Sequence, residues 1–392
     1  IQDVKPYKAM PDENIALEDV VKIQLVNYQN AQDNERSERI FDAFCQAQGI
    51  QIESLDYISD LRLFKSDQLS LEQIHSLASM DCVLSVMKMP TIEFLAAPDP
   101  DESEVCVMIP REEYDYPHVG ILDSGVEPIE YLDPWLETPE DNAADLLDED
   151  IDKQHGTAVA SIINYGDLLE GQDLTVCSPC KLTSCIVNGT NNIYEYELVR
   201  NINQAIRNHP EIKIWNLSQG INAPISDREY SHLAIALDGL QKQHKILICK
   251  SAGNFEAQPD GASLKISKGA ESVMSLVVGS IALEKNTERD AEPGCRSPFS
   301  RIGFGVENVV KPDLVHYGGN TDSHISFFSI YGRQVRCYSG TSFSTPRVTS
   351  LAANLEHYLA DKFSPLLVRA MLIHNATYPV NNSSDTSALR KE

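Results

Sequence analysis

His118-Val119-Gly120-Ile121-Leu122-Asp123-Ser124-Gly125 is a short apolar run that closes on a carboxylate and a turn. A run of about four to eight apolar residues, bounded by turn residues and without alternation, suits a strand covered on both faces. The same texture returns at Ile212-Lys213-Ile214-Trp215-Asn216-Leu217, at Lys245-Ile246-Leu247-Ile248-Cys249 and at Ser275-Leu276-Val277-Val278. Helical patterns over residues 193–207 and 232–244 separate these runs. Strands alternating with helices predict an α/β domain over residues 99–392: a mostly parallel sheet with helices on both faces.

Residues 1–98 have a different texture. Val20 to Val26 predicts a strand, and Asn34 is placed to cap a helix whose apolar face carries Ile40, Phe41, Phe44 and Cys45. One or two strands are expected between Ile50 and Phe64. Ser70 followed by Gln73 forms a capping-box signature for a helix bearing Ile74, Leu77 and Met80. A last strand is expected from Val83 to Phe94. The order β-α-β-β-α-β predicts a small α+β, ferredoxin-like domain, a scaffold that names no activity by itself. The acidic, Pro-rich hexamer Ala97-Pro98-Asp99-Pro100-Asp101-Glu102 reads as the linker to the larger domain.

Charge narrows the function. With 32 Lys and Arg against 58 Asp and Glu, the net charge of −26 argues against a surface that tracks phosphates, so nucleic acid is not an expected partner. No run approaches the roughly 20 apolar residues of a membrane span. The acidic stretch Asp141, Asp145, Asp148, Glu149, Asp150 and Asp152 lacks a calcium-loop spacing and reads as a solvated loop. Nine scattered cysteines form no disulfide framework. Cys177, Cys180 and Cys185 cluster, but no second pair of finger-like spacing follows, so thiols rather than a metal site are expected. Reduced thiols and the lack of an export signal at Ile1 point to a cytoplasmic setting, with secretion as the alternative.

Four positions carry candidate chemistry. Asp123 lies just past a buried strand, where open α/β sheets gather their active sites. His155 opens His155-Gly156-Thr157-Ala158-Val159-Ala160-Ser161, a small-residue stretch suited to a tightly packed helix. Ser342 lies in Gly340-Thr341-Ser342-Phe343-Ser344-Thr345-Pro346, ahead of Val348, Leu351, Ala352 and Leu355 at helical spacing. A serine there is either an ordinary cap or a nucleophile whose own N–H sits at the positive end of a helix. Asn254, in Ser251-Ala252-Gly253-Asn254, follows a strand and offers a neutral amide donor.

Together these segments resemble the subtilase family of serine proteases. Ile121-Leu122-Asp123-Ser124-Gly125 is similar to its aspartate motif, His155-Gly156-Thr157 to its histidine motif, and the stretch from Gly340 to Pro346 to its serine motif, in the subtilisin order Asp, His, Ser. Ser251 to Asn254 resembles the oxyanion segment. Asn216-Leu217-Ser218-Gln219-Gly220 resembles the strand that pairs with substrate, and Lys311-Pro312-Asp313-Leu314-Val315 a further family segment. The resemblance covers residues 115–378 and implies a subtilisin-like fold and hydrolysis of protein or peptide substrates.

By that resemblance Asp123, His155 and Ser342 form the triad, Asn254 donates to the oxyanion, and Ser218, Gln219, Gly220, Ser251, Ala252 and Gly253 bind substrate, with neither cofactor nor metal implied. Phe255-Glu256 and Phe343 depart from the small residues usual at those places. The N-terminal domain is similar in element order to subtilase propeptides, which implies an intramolecular inhibitory domain whose tail is Thr91 to Pro98. Asn164-Tyr165-Gly166-Asp167 and His316-Tyr317-Gly318-Gly319-Asn320 resemble a bacterial subgroup encoded beside an AAA-type ATPase, making such an ATPase an expected partner. Two alternatives stay open: a peptide ligase or cyclase on the same fold, and a catalytically silent binding module.

Overall fold

The computed structural model describes residues 9, 11, 15–58, 60–91, 101–102, 105–191, 193–221, 223–255 and 264–377. Residues 1–91 with 194–200 cluster as one unit, and residues 92–193 with 201–392 as another. The expected boundary at residue 98, most of the Pro-rich linker and nearly all of the expected inhibitory tail lie outside the described residues.

In the first unit the strands are β1 (Val21–Leu25), β2 (Glu53–Leu55), β3 (Arg62–Ser66) and β4 (Val83–Lys88), with helices α1 (Ala31–Ala47) and α2 (Leu71–Ala78) between them in the expected order. They pair antiparallel in the order β2-β3-β1-β4. Ile23, Leu25, Phe41, Phe64, Ile74, Leu77 and Val86 are buried together. The capping box forms as its spacing predicts: Gln73 N donates to Ser70 Oγ at 3.2 Å, and Ser70 N to Gln73 Oε1 at 2.9 Å.

Three expectations for this unit need correction. The cap of α1 is Asn30, whose extended backbone lets its side chain accept from the N–H groups of Gln32 and Asp33. Asn34 lies inside the first turn and accepts from Tyr28 N instead. Ile40 is 54% exposed, because the buried stripe runs through Phe41 and Cys45 and is narrower than expected. Strand β4 ends at Lys88, and residues 92–94 of the expected strand lie outside the described residues. Lys22, on β1 and buried, forms an ion pair with Glu195, which also accepts from Tyr57 Oη at 2.8 Å.

The second unit holds β5 (Asp101–Glu102), β6 (His118–Asp123), β7 (Lys181–Ile186), β8 (Ile214–Leu217), β9 (Leu247–Ser251), β10 (Leu276–Ile281), β11 (Leu314–Tyr317), β12 (Ile325–Phe328) and β13 (Gln334–Tyr338). Its helices are α3 (Gln154–Glu170), α5 (His232–His244), α6 (Thr341–Leu359) and α7 (Pro365–Asn375), together with residues 201–208 of α4 (Glu195–Asn208), whose first residues cluster with the first unit. Six strands form an all-parallel sheet in the order β11-β10-β9-β8-β6-β7, while β12, β13 and β5 form a small antiparallel one. This is the subtilisin-like α/β fold that the sequence predicts. Close packing needs glycine at Gly120, where a Cβ would sit 2.2 Å from the Trp215 ring. Among the described residues no helix is long and apolar enough to cross a membrane.

Candidate active site

The order of the sheet sets the site. Asp123 ends β6, Ser218 to Gly220 follow β8 and Ser251 to Asn254 follow from β9, so all of these residues collect at the carboxyl ends of adjacent parallel strands. The amino ends of α3 and α6 bring in His155 and Ser342.

Asp123 is fully buried. Its Oδ1 accepts from Ser124 N at 2.8 Å and from Gln219 Nε2 at 2.9 Å, and both of its oxygens lie 2.9 Å from His155 Nδ1. The helix of His155 can come this close because residue 156 is glycine: a Cβ there would lie 2.1 Å from the carbonyl oxygen of Gly125. Burial disfavours the imidazolium, but the charge and hydrogen bond of Asp123 outweigh it, so the pKa of His155 is raised. Phe343 lies tilted beside the imidazole with ring centroids 5.9 Å apart and stacks on Phe327. This departure from the family pattern therefore fills the space behind the histidine.

Ser342 is the second residue of α6. Pro346, four residues on, has no N–H to give the Ser342 carbonyl in the helical ladder. Ser218 Oγ supplies that donor at 2.9 Å, and Ser342 Oγ in turn donates to Ser218 O at 2.8 Å. Serine and histidine line one cleft of about 410 Å³. The hydroxyl's partner there is the Ser218 carbonyl, while the aspartate and the histidine are bonded directly.

Asn254 lines the same cleft. Its Oδ1 accepts from Thr341 N and Thr341 Oγ1, both at 2.9 Å, which leaves Nδ2 as the amide's remaining polar end. Gly253 has φ +100° and lies so close to Ser267 that a Cβ would meet its hydroxyl at 1.9 Å, so no larger residue fits there. Ser218, Gln219, Gly220, Ser251 and Gly253 also line the cleft, while Ala252 is buried behind it. The side chain of Gln219 turns to the aspartate, donating to Asp123 Oδ1 at 2.9 Å.

Sequence reasoning passed over Lys250. It is 1% exposed yet lines the cleft, and its Nζ donates to Ser251 O and Ser251 Oγ, each at 3.1 Å. Burial pushes its pKa down to about 7, against the pull of Glu271. Its place directly after the apolar run from Lys245 to Cys249 was the signal available. Arg336 and Tyr338, on β13, complete one wall.

The stretches that resemble the ATPase-associated subgroup serve the interior of this unit. Tyr165 Oη donates to Tyr131 O at 2.9 Å, Gly166 lies against Arg347, and Asn320 Nδ2 donates to the carbonyls of Glu284 and Ala291. Asp141, expected in a solvated loop, is anchored: it accepts from Asn208 Nδ2 at 3.0 Å, and its Oδ2 lies 3.1 Å from His209 Nε2. Asp141, Cys185 and His209 are the described residues grouped closely enough to hold a metal ion. Strand β7, which carries Cys185, was hidden by its polar letters. Ser184 on it is buried and donates to Glu140 Oε1 at 2.6 Å.

A family model described as the subtilase family matches residues 116–390. The chain belongs to the subtilase family. Among solved structures, this subtilase is similar to the epidermin leader peptide processing serine protease EpiP of Staphylococcus aureus, with a TM-score of 0.61, 16% identity, and 93% of this chain and 94% of that one covered. It is also similar to fervidolysin of Fervidobacterium pennivorans, described as a keratinolytic enzyme related to subtilisin, with a TM-score of 0.57, 15% identity, and 96% and 60% covered. At these identities the likeness is one of fold. A protein of Sinorhizobium fredii named "Uncharacterized protein y4bN" is 28% identical over 202 residues, covering 41% of this subtilase and 47% of that relative's length. The subtilase thus spans about half of the curated relative it matches.

Proposed function

We propose that this subtilase is a serine endopeptidase in which Asp123, His155 and Ser342 act together and Asn254 helps to hold the oxyanion. The observation that carries the reading is the pairing of His155 Nδ1 with both oxygens of a buried Asp123, 2.9 Å away, at the cleft where Ser342 opens α6. With Nδ1 taken, Nε2 is the nitrogen free to act as base. Ser342 Oγ leaves its bond to Ser218 O and attacks the peptide carbonyl carbon while His155 takes its proton. The tetrahedral oxyanion is held by Asn254 Nδ2 and the N–H of Ser342, at the positive end of α6. Collapse expels the amine, which receives the proton, and water then releases the acyl group by the same steps in reverse. Gln219 holds the carboxylate of Asp123, a positioning role.

We further infer that residues 1–98 act as an inhibitory domain released by cleavage near the acidic linker, residues 97–102. In support, the chain leaving that region joins β13 as β5, and β13 also supplies Arg336 and Tyr338 to the cleft wall. The test follows peptide hydrolysis and chain mass together. Turnover that is lost in Ser342→Ala, with the folded state kept, is expected. Undiminished hydrolysis by that variant overturns the triad assignment, and a full-length chain persisting through prolonged turnover overturns cleavage at the linker.

A further inference from the structure

We propose that Lys250 is the selective element of this cleft, which therefore takes peptides with a carboxylate side chain on the residue whose carbonyl is attacked. The inference rests on the reading of the cleft as a peptidase site. Three lysines are buried among the described residues: Lys22, Lys250 and Lys311. Lys22 is paired with Glu195, and Lys311 Nζ donates to Asp313 Oδ2 at 2.7 Å. The partners of Lys250 are the two neutral oxygens of Ser251. Glu271, the carboxylate whose charge bears on it, spends its oxygens on the N–H groups of Ser231 and Gly269. An ammonium held out of water without a counter-ion is costly, and a cleft-lining one gains most from a ligand that brings the missing charge.

Position supports the same conclusion. A Cβ on Gly220 would lie 2.9 Å from Lys250 Nζ, so at this point the cleft wall has no side chain between the ammonium and the space beyond. Ser218, whose carbonyl holds the Ser342 hydroxyl, is two residues away, at most about 7 Å along an extended backbone. A carboxylate on the residue under attack therefore reaches Nζ, whereas an apolar side chain leaves the ammonium unpaired and a cationic one is repelled.

The experiment uses the full chain and peptides that differ only at the residue preceding the cleaved bond: Glu, Asp, Gln, Leu or Lys. Expected is a kcat/KM for Glu or Asp about tenfold to a hundredfold above that for Gln, the range for one charge-assisted hydrogen bond. In Lys250→Met the Glu-to-Gln ratio falls to about one, while Ser342 still reacts with a fluorophosphonate probe. Should that variant fail to fold, the wild-type ranking alone decides. Labelling of Ser342 together with a preference for Gln, Leu or Lys overturns the inference and leaves the peptidase reading standing. No labelling of the wild type overturns both.

A separate observation points to a second site, for a divalent transition metal of the zinc type, built by Asp141, Cys185 and His209. Their ligand atoms all lie within 4.8 Å of one another, at a cleft of about 570 Å³ lined by Asp141, Thr183 and His209. Thr183 and Cys185 share a face of β7. His209 Nδ1 lies 3.6 Å from Glu211 Oε1, the carboxylate placed to orient a ligating imidazole. Ligands of tetrahedral zinc stand about 3.5 Å apart, so closing the group needs a shift of about 1 Å. The sulfur selects zinc over calcium, and binding releases the thiol proton as the thiolate coordinates.

Full-length Ser342→Ala protein, stripped with chelator, is titrated with zinc sulfate or calcium chloride. One zinc retained per chain is expected, with a rise in Tm of about 5 °C at saturation and at least tenfold weaker binding in His209→Gln and Cys185→Ser. Cys177→Ser should bind as before. Substoichiometric zinc, equal retention of calcium, or zinc binding unchanged in both His209→Gln and Cys185→Ser overturns the site.

Discussion

Lys22 on β1 and Lys250 on β9 are equally buried, each 1% exposed, yet their surroundings differ in kind. Lys22 meets a carboxylate that a tyrosine hydroxyl also holds, so its charge is matched within the chain. Among the described residues Lys250 meets only serine oxygens, and it borders a cleft. Buried charge that is matched within the chain belongs to the architecture, and buried charge left for a ligand belongs to function. The same contrast separates the two regions as wholes. The antiparallel unit turns its alternating pattern into a core, whereas the parallel sheet gathers Asp123, Gln219, Lys250 and Asn254 at one end of its strands.

The largest expected effect falls in the cleft. Ser342→Ala should cut kcat by about 10^6-fold, the scale of losing the nucleophile of such a triad, with thermal unfolding close to wild type. Equal loss of stability would instead make the serine structural, like Lys22. On the architectural side, Glu195→Ala strands a buried ammonium and should destabilise the fold by about 3–5 kcal/mol in denaturant unfolding, and Lys22→Met added to it should recover much of that loss. If Glu195→Ala unfolds like wild type, the pairing of Lys22 contributes nothing and the comparison fails. Asn254→Ala should lower kcat by about 10^2- to 10^3-fold while KM changes little, read from steady-state kinetics on one peptide.

The smallest effect is in pH. His155 must be neutral to act as base, and its pKa is raised, so the acid limb of kcat/KM should lie above the usual 6.5 and activity should fall as pH drops through it. The stability that Asp123 gives to the imidazolium has the opposite course: it is fully present below the unfolded pKa of His155 and lost as pH rises through the folded one. A rate profile with its acid limb at or below 6.5 would break the link between Asp123 and His155.

Much of this was legible because apolar runs record burial. β6, β8, β9 and β10 announce themselves, and Asp123 closes one of these strands while Asn254 stands just past another. β7 did not, since Thr183 and Ser184 find hydrogen-bond partners at the sheet edge and the strand need not be apolar. The cap of α1 was displaced from Asn34 to Asn30 because two asparagines compete and backbone geometry decides between them. Gln219 gave no sign of its bond to Asp123, as the two lie 96 residues apart and only the β6–β8 pairing makes them neighbours. Lys250 directly follows the apolar run from Lys245 to Cys249, and nothing in the local sequence says that its side chain ends at a cleft.

The most direct test of the central claim is labelling of the full chain with a fluorophosphonate probe, followed by peptide mapping. One adduct is expected, on Ser342, and it is lost in His155→Ala. An adduct on another residue, or labelling of Ser342 that persists without His155 at the wild-type rate, would contradict it.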